Sequence, residues 1–196
     1  CLVLHMDHGY NASTFAARVT ASSLSDIYSA VTSAVGTLRG RLHGGANTAV
    51  MEMLHEIGQP ERAEAYVKDL LSKKAKVMGF GHAVYKVMDP RAAILKDLAI
   101  RLSKELGRTR WVEMCEIIER VMMEEKGIPC NVDFYSAPVY HMLGIHMLLY
   151  TPIFALSHVV GYTAHVLEQY NNNKIIRPDC NYVGDMNRKW IPLEDR

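Results

Sequence analysis

Three short stretches carry residue types that could run acid–base chemistry on a small anionic molecule. The richest runs from Gly79 to Ala92: Gly79 and Gly81 bracket His82, Ala83 and Lys86 follow, and Asp89-Pro90-Arg91 opens an amphipathic run. A glycine-flanked loop lets backbone N–H groups approach a ligand, and an imidazole with two nearby cations suits an anion. Upstream, His43 precedes Gly44-Gly45 and a helical pattern; downstream, Asp133 sits in Asn131-Val132-Asp133. Two imidazoles and a carboxylate in such settings fit general acid–base work. Near the start, His5 and His8 stand three residues apart. On a helix that spacing could hold a metal, but no third or fourth ligand is near in sequence.

Each residue also has a plainer use. His82 could be a loop histidine, His43 a helix-start histidine bonded to a backbone group, and Asp133 an N-cap. Arg91 and Arg177 could be solvated arginines, and Lys86 a solvated lysine. Tyr135, His141, His165 and the methionines lie on apolar faces and read as core or its lining.

Composition narrows the class. The 196 residues can bury a real core, with 49% hydrophobic and 22% charged residues. A net charge of +1 supplies no bulk field for nucleic acid or an anionic membrane. No apolar run is expected to span a membrane, since the segment around Met147 to Val160 includes Pro152, His158 and the adjoining His146. Cys1, Cys115, Cys130 and Cys180 lack paired spacing. They predict free thiols in a reducing, cytoplasmic compartment.

The elements that must position these residues are helical throughout, so the predicted class is all-α. The pattern predicts one helix over 15–38, a second over 46–57 closed by Gly58, and a third opened by Pro60. Asp89 and Pro90 read as N-cap and first turn of a helix that Gly107 closes; a run from Trp111 to Met122 is closed by Gly127. A helix is expected to begin near Ser136-Ala137-Pro138, and a long one to cover 152–169, broken at Asn171-Asn172-Asn173. The tail from Ile175 should be irregular.

Five stretches together resemble the citrate synthase family, in its bacterial citrate/2-methylcitrate synthase branch: HMDHGYNAST (5–14), LHGGAN (42–47), GFGHAVYKVMDPRA (79–92), NVDFYSAPVYHMLGI (131–145) and GYTAHVLEQYNNNKIIRP (161–178). The match covers the C-terminal half of that family, so an N-terminal part is expected to be missing. The resemblance implies a helical homodimer in which 1–47 and 152–196 belong to a large domain and 48–151 form a small one. It implies an acyltransferase that condenses acetyl-CoA or propionyl-CoA with oxaloacetate. The CoA thioester is then a substrate, and no metal or other cofactor is needed. Residue by residue, it makes Asp133 the base, His43 the ligand of the enol oxygen and His82 the group that polarises the oxaloacetate carbonyl. His8 and Arg91 become oxaloacetate ligands, and Arg177 reaches into the partner subunit's site. Lys86, with Gly79, Gly81 and Ala83, lies along the CoA.

The chain departs from that pattern in places. Arg41 and His146 stand where the family commonly has proline, and Ala83 replaces a frequent arginine. His158 stands where the family usually has an arginine that clamps a substrate carboxylate. If His158 takes over that task, a protonated imidazole should bind oxaloacetate better as pH falls. Two rival readings are a truncated or degenerate CoA-binding paralogue without turnover, and a histidine-rich metal protein.

Overall fold

The computed structural model describes residues 1–81 and 87–196; His82, Ala83 and Lys86 therefore lie outside the described residues. Among those described, the regular structure is helical, with one isolated antiparallel bridge between Phe80 and Cys130.

Polar residues with short side chains set several of the helix starts. The helix α1 (Ala12–Ser22) is capped by Asn11, whose side chain accepts from the N–H groups of Ser13 and Thr14. The single helix expected over 15–38 is in fact two. The run Ser22-Ser23-Leu24-Ser25-Asp26 interrupts it, Leu24 turns left-handed at φ 63°, and Asp26 caps α2 (Ile27–Leu38) through Ser29 N–H. Serine and aspartate compete for backbone groups in this way and favour caps over helix interiors. The next pair is α3 (Ala46–Ile57), ended by Gly58, and α4 (Pro60–Ser72), which starts on its proline as predicted. Asp89 caps α5 (Pro90–Glu105), with Gly107 left-handed just beyond it, and Gly127 ends α6 (Arg110–Lys126) at φ 62°.

The helix expected near Ser136 begins earlier. It is α7 (Val132–Met142), capped by Asn131, with Pro138 inside it. The proline deprives one carbonyl of a donor but does not end the helix. The last helix, α8 (Tyr150–Asn171), also starts before Pro152, which falls in its first turn. Met147–Asn171 is long and apolar enough to cross a membrane by length and composition alone, against the sequence expectation. In this fold one face of it is core: Tyr150, Phe154, His158, Tyr162 and Val166 are buried. Beyond Asn171 the tail is irregular, as expected, apart from a short 3-10 turn at Leu193–Asp195.

Among the described residues, most of the buried apolar side chains fall in two clusters. One, from Val50 to Tyr150, joins α3 to α7 and is centred on residues such as Leu54, Ile118, Phe134 and Tyr135. The other is small, with Ala17, Ala21, Ala30, Ala34, Tyr162 and Val166 where α1, α2 and α8 meet. Alanines at those contacts let the three helices approach closely.

Candidate active site

A cleft of about 740 Å³ opens between the loop before α1, the turn before α3, and the starts of α5 and α7; His8, Asn11, His43, Gly81, Arg91 and Asp133 are among the residues that line it. Residues spread over some 125 positions of sequence thus converge because four helix N-termini meet there. His82 lies next in sequence to Gly81, outside the described residues.

Asp133 is placed by its neighbour. Asn131 uses all its polar groups: its N–H donates to Gly79 O at 2.9 Å, its Nδ2 to Gly81 O at 2.9 Å, its Oδ1 accepts Asp133 N–H at 3.0 Å and its carbonyl accepts Phe134 N–H at 3.2 Å. The cap of α7 is therefore Asn131, and the Asp133 carboxylate is released from capping. Gly79 must be glycine, since a Cβ there would lie 2.7–2.9 Å from Phe134 and Val50 and its φ is +82°. Asp133 Oδ1 is buried with no hydrogen-bond partner among the described residues. Burial raises the carboxyl to about 7, against the opposing pull of Arg91 and with help from Asp89. A carboxylate in that range is a competent base near neutral pH.

His43 is held in a turn whose Gly44 leaves no room for a side chain, because a Cβ would sit 2.5 Å from Leu38 O. Its Nε2 lies 2.7 Å from Ser13 Oγ. Burial, then the nearby His158, lowers its pKa, so the imidazole is neutral at pH 7.

Arg91 presents a fork that is half occupied. Its Nε and Nη2 donate to the two oxygens of Asp89 at 3.0 and 2.7 Å, and the Asp89 side chain is only 1% exposed. Burial pushes the Asp89 carboxyl up, but the bonds from Arg91 outweigh it and hold it lowered. The remaining donors of the guanidinium are left for the cleft.

The other predicted site residues are more scattered. His158 is wholly buried on α8 and does not line the cleft; its Nδ1 is 2.5 Å from His5 O and its Nε2 2.7 Å from Asn11 Nδ2. Burial lowers its pKa despite the His5 carbonyl, which favours the proton, so the expected protonated imidazole is corrected to a neutral one. Arg177 is exposed on the tail and its nearest acid is Asp179 at 3.5 Å. His5 ends a 3-10 turn and is buried against Phe154, whereas His8 lies in the following loop, so the two do not share a helix face.

A second cleft of about 540 Å³ adjoins the first; both include Leu42, Ala46, Gly81 and Asn131. Gly79 lies on its wall, and Arg41, Lys74, Lys76 and Lys126 give it a positive rim. Sequence reading missed Asn11, Ser13 and Asn131. The signal was present, since Asn-Ala-Ser-Thr and Asn-Val-Asp are N-cap patterns.

Residues 1–179 match the family described as citrate synthase, C-terminal domain. Citrate synthase 2 of Bacillus subtilis is 55% identical over 195 residues, covering all of this chain and 52% of that protein. The 2-methylcitrate synthase of Shewanella oneidensis is 48% identical, with the same coverage. Among solved structures, the ternary complex of carboxymethyl coenzyme A and oxaloacetate with citrate synthase from Thermoplasma acidophilum superposes with a TM-score of 0.92 at 40% identity, covering all of this chain and 53% of that one. The chain spans about half the length of the curated relatives it matches. Its helices, its cleft of helix starts and these likenesses lead to one conclusion: the chain belongs to the citrate synthase family.

Proposed function

We propose that the full-length protein containing this chain condenses acetyl-CoA or propionyl-CoA with oxaloacetate, giving citrate or 2-methylcitrate and free CoA. Asp133 removes a proton from the carbon next to the thioester. His43 donates a hydrogen bond to the thioester oxygen as the enol forms. The enol carbon attacks the oxaloacetate carbonyl, which His82 polarises, and water then cleaves the thioester. Arg91 and His8 bind the oxaloacetate, and Arg177 of one protomer completes the site of its partner. The CoA lies in the neighbouring cleft, its phosphates against the positive rim and Lys86 and its acyl end beside Gly81; it is a substrate, so no resident cofactor enters. The two apolar clusters support a small domain over 48–151 that moves against a large one containing 1–47 and 152–196.

The observation that carries this reading is Asp133. It is a carboxylate with a buried, unpartnered oxygen, raised to about 7, in one cleft with His43, His8 and Arg91. In full-length protein, Asp133→Asn should abolish exchange of the acetyl methyl protons with solvent while oxaloacetate still binds. Exchange at the wild-type rate would sink the assignment.

A second reading, a CoA-binding relative without turnover, draws on His158, which occupies the family's arginine position but points into the fold. Calorimetry with CoA and oxaloacetate beside a thiol-release assay separates the two.

A further inference from the structure

We propose that His158 is a positioning residue rather than a substrate ligand: it bridges the His5 carbonyl to the Asn11 amide and so fixes the polarity of a hydrogen-bond chain that ends at His43. The argument starts from what each group can do. The His5 carbonyl only accepts, so His158 Nδ1, 2.5 Å away, carries the proton. In a neutral ring the other nitrogen, Nε2, is then an acceptor, and Asn11 Nδ2 donates to it at 2.7 Å.

That contact aims the Asn11 carbonyl oxygen at the start of α1. There it receives Ser13 N–H at 3.1 Å and Thr14 N–H at 3.0 Å. An amide oxygen has two lone pairs, and both are now used. The Ser13 hydroxyl lies 2.7 Å from this oxygen and 2.7 Å from His43 Nε2. The amide oxygen can only accept, so the Ser13 hydroxyl shares its one proton between Asn11 Oδ1 and His43 Nε2, and the two N–H bonds already on the amide oxygen tip it towards His43. Tyr162 OH donates to the Ser13 oxygen at 2.7 Å, and Ser13 N–H also points to His43 Nε2 at 3.4 Å. Nε2 of His43 is thereby an acceptor on all sides, and the ring keeps its one proton on Nδ1. The reverse polarity would turn the Asn11 amino group against two backbone N–H donors.

This inference rests on the reading of His43 as the enol-oxygen ligand and names what sets its proton. It also accounts for a histidine at this position. Arginine is donor-only and could not accept from Asn11, whereas glutamine could donate to His5 O and accept from Asn11 Nδ2.

The test uses full-length protein with 15N-histidine and three variants. His158→Leu removes both contacts, and Asn11→Ser keeps a cap on α1 but cuts the bridge from the other side. His158→Gln retains donor and acceptor. For wild type, nitrogen spectra should give His43 as the Nδ1–H tautomer. His158→Leu and Asn11→Ser should give a mixture, with kcat reduced about 10- to 100-fold and the KM for oxaloacetate within about 3-fold of wild type. His158→Gln should restore both the tautomer and most of kcat. Should His158→Leu fail to fold, the other two variants still decide. An unchanged His43 spectrum in Asn11→Ser or His158→Leu overturns the proposal. So does a rise of about 10-fold or more in oxaloacetate KM at wild-type kcat, which would make His158 a ligand. If wild type shows no turnover, the proposed reaction fails, but the spectra still judge the role of His158.

Discussion

Asp133 links the energetics of folding to the chemistry of the cleft. Its carboxyl is raised from 3.8 to about 7, so between those values the folded chain holds a proton that the unfolded chain has lost. Stability therefore falls as pH rises from about 4 to 7 and is flat above that. The shift corresponds to at most about 4 kcal/mol at pH 8. Asp133→Asn should gain little at pH 4 and up to that amount at pH 8, while kcat collapses; urea melts of both chains at the two pH values check it. In the full-length protein the base must be ionised, so kcat/KM should rise with pH along a limb centred near 7. A limb near 4 would mean that substrate or partner surfaces restore its solvation. The sequence supplied the identity of this residue through the family motif, and by itself could equally have made it an N-cap. What decided the matter is Asn131, two positions earlier, taking the cap. Likewise nothing in the spacing of His158 told that its ring turns inward, because burial is a property of how α8 packs against the chain near His5.

The elements around the cleft are legible where their signals are local. Asp89-Pro90, Gly58 and Gly127 act as the sequence predicts. The errors came from composition mistaken for continuity: apolar residues on both sides of Ser22–Asp26 read as one helix, and Pro138 read as a start rather than an interior residue of a helix that tolerates it. The connection between the Gly79–Gly81 strand-like segment and Asn131 is long-range and had no signature. It should be stiff. Asn131→Ala removes a cap and the link to Gly81 O, and should cost about 1–3 kcal/mol by chemical denaturation. Gly79→Ala combines a clash with Phe134 and Val50 with a disfavoured φ, and should cost about 2–4 kcal/mol. A neutral result for Gly79→Ala would show that Phe134 can retreat, and with it the start of α7.

On the scale of the whole molecule, the outward faces are unusually apolar. Phe15 and Val19 on α1, Tyr28 and Val35 on α2, and Leu156, Val160 and Leu167 on α8 are exposed, as are Val183, Met186 and Trp190 on the tail. Scattered apolar side chains are ordinary, but here three helices that pack on one another all show them. These 196 residues on their own should self-associate, with sedimentation showing dimers or larger species at micromolar concentration. A monodisperse monomer would mean that these side chains lie flat enough to be tolerated in water.

The four-way commitment of Asn131 has an outcome for heredity. It engages Gly79, Gly81, Asp133 and Phe134 through its main-chain and amide groups at once. Aspartate would keep the cap but lose the donor to Gly81; serine would keep the cap but cannot span to the loop; glutamine would overreach both. No other genetically encoded side chain satisfies the whole set. In a library of random variants selected for stability this position should be enriched in asparagine over every other residue, and its losses should not be rescued by second changes at its partners, whose shares in the node are made by their backbones.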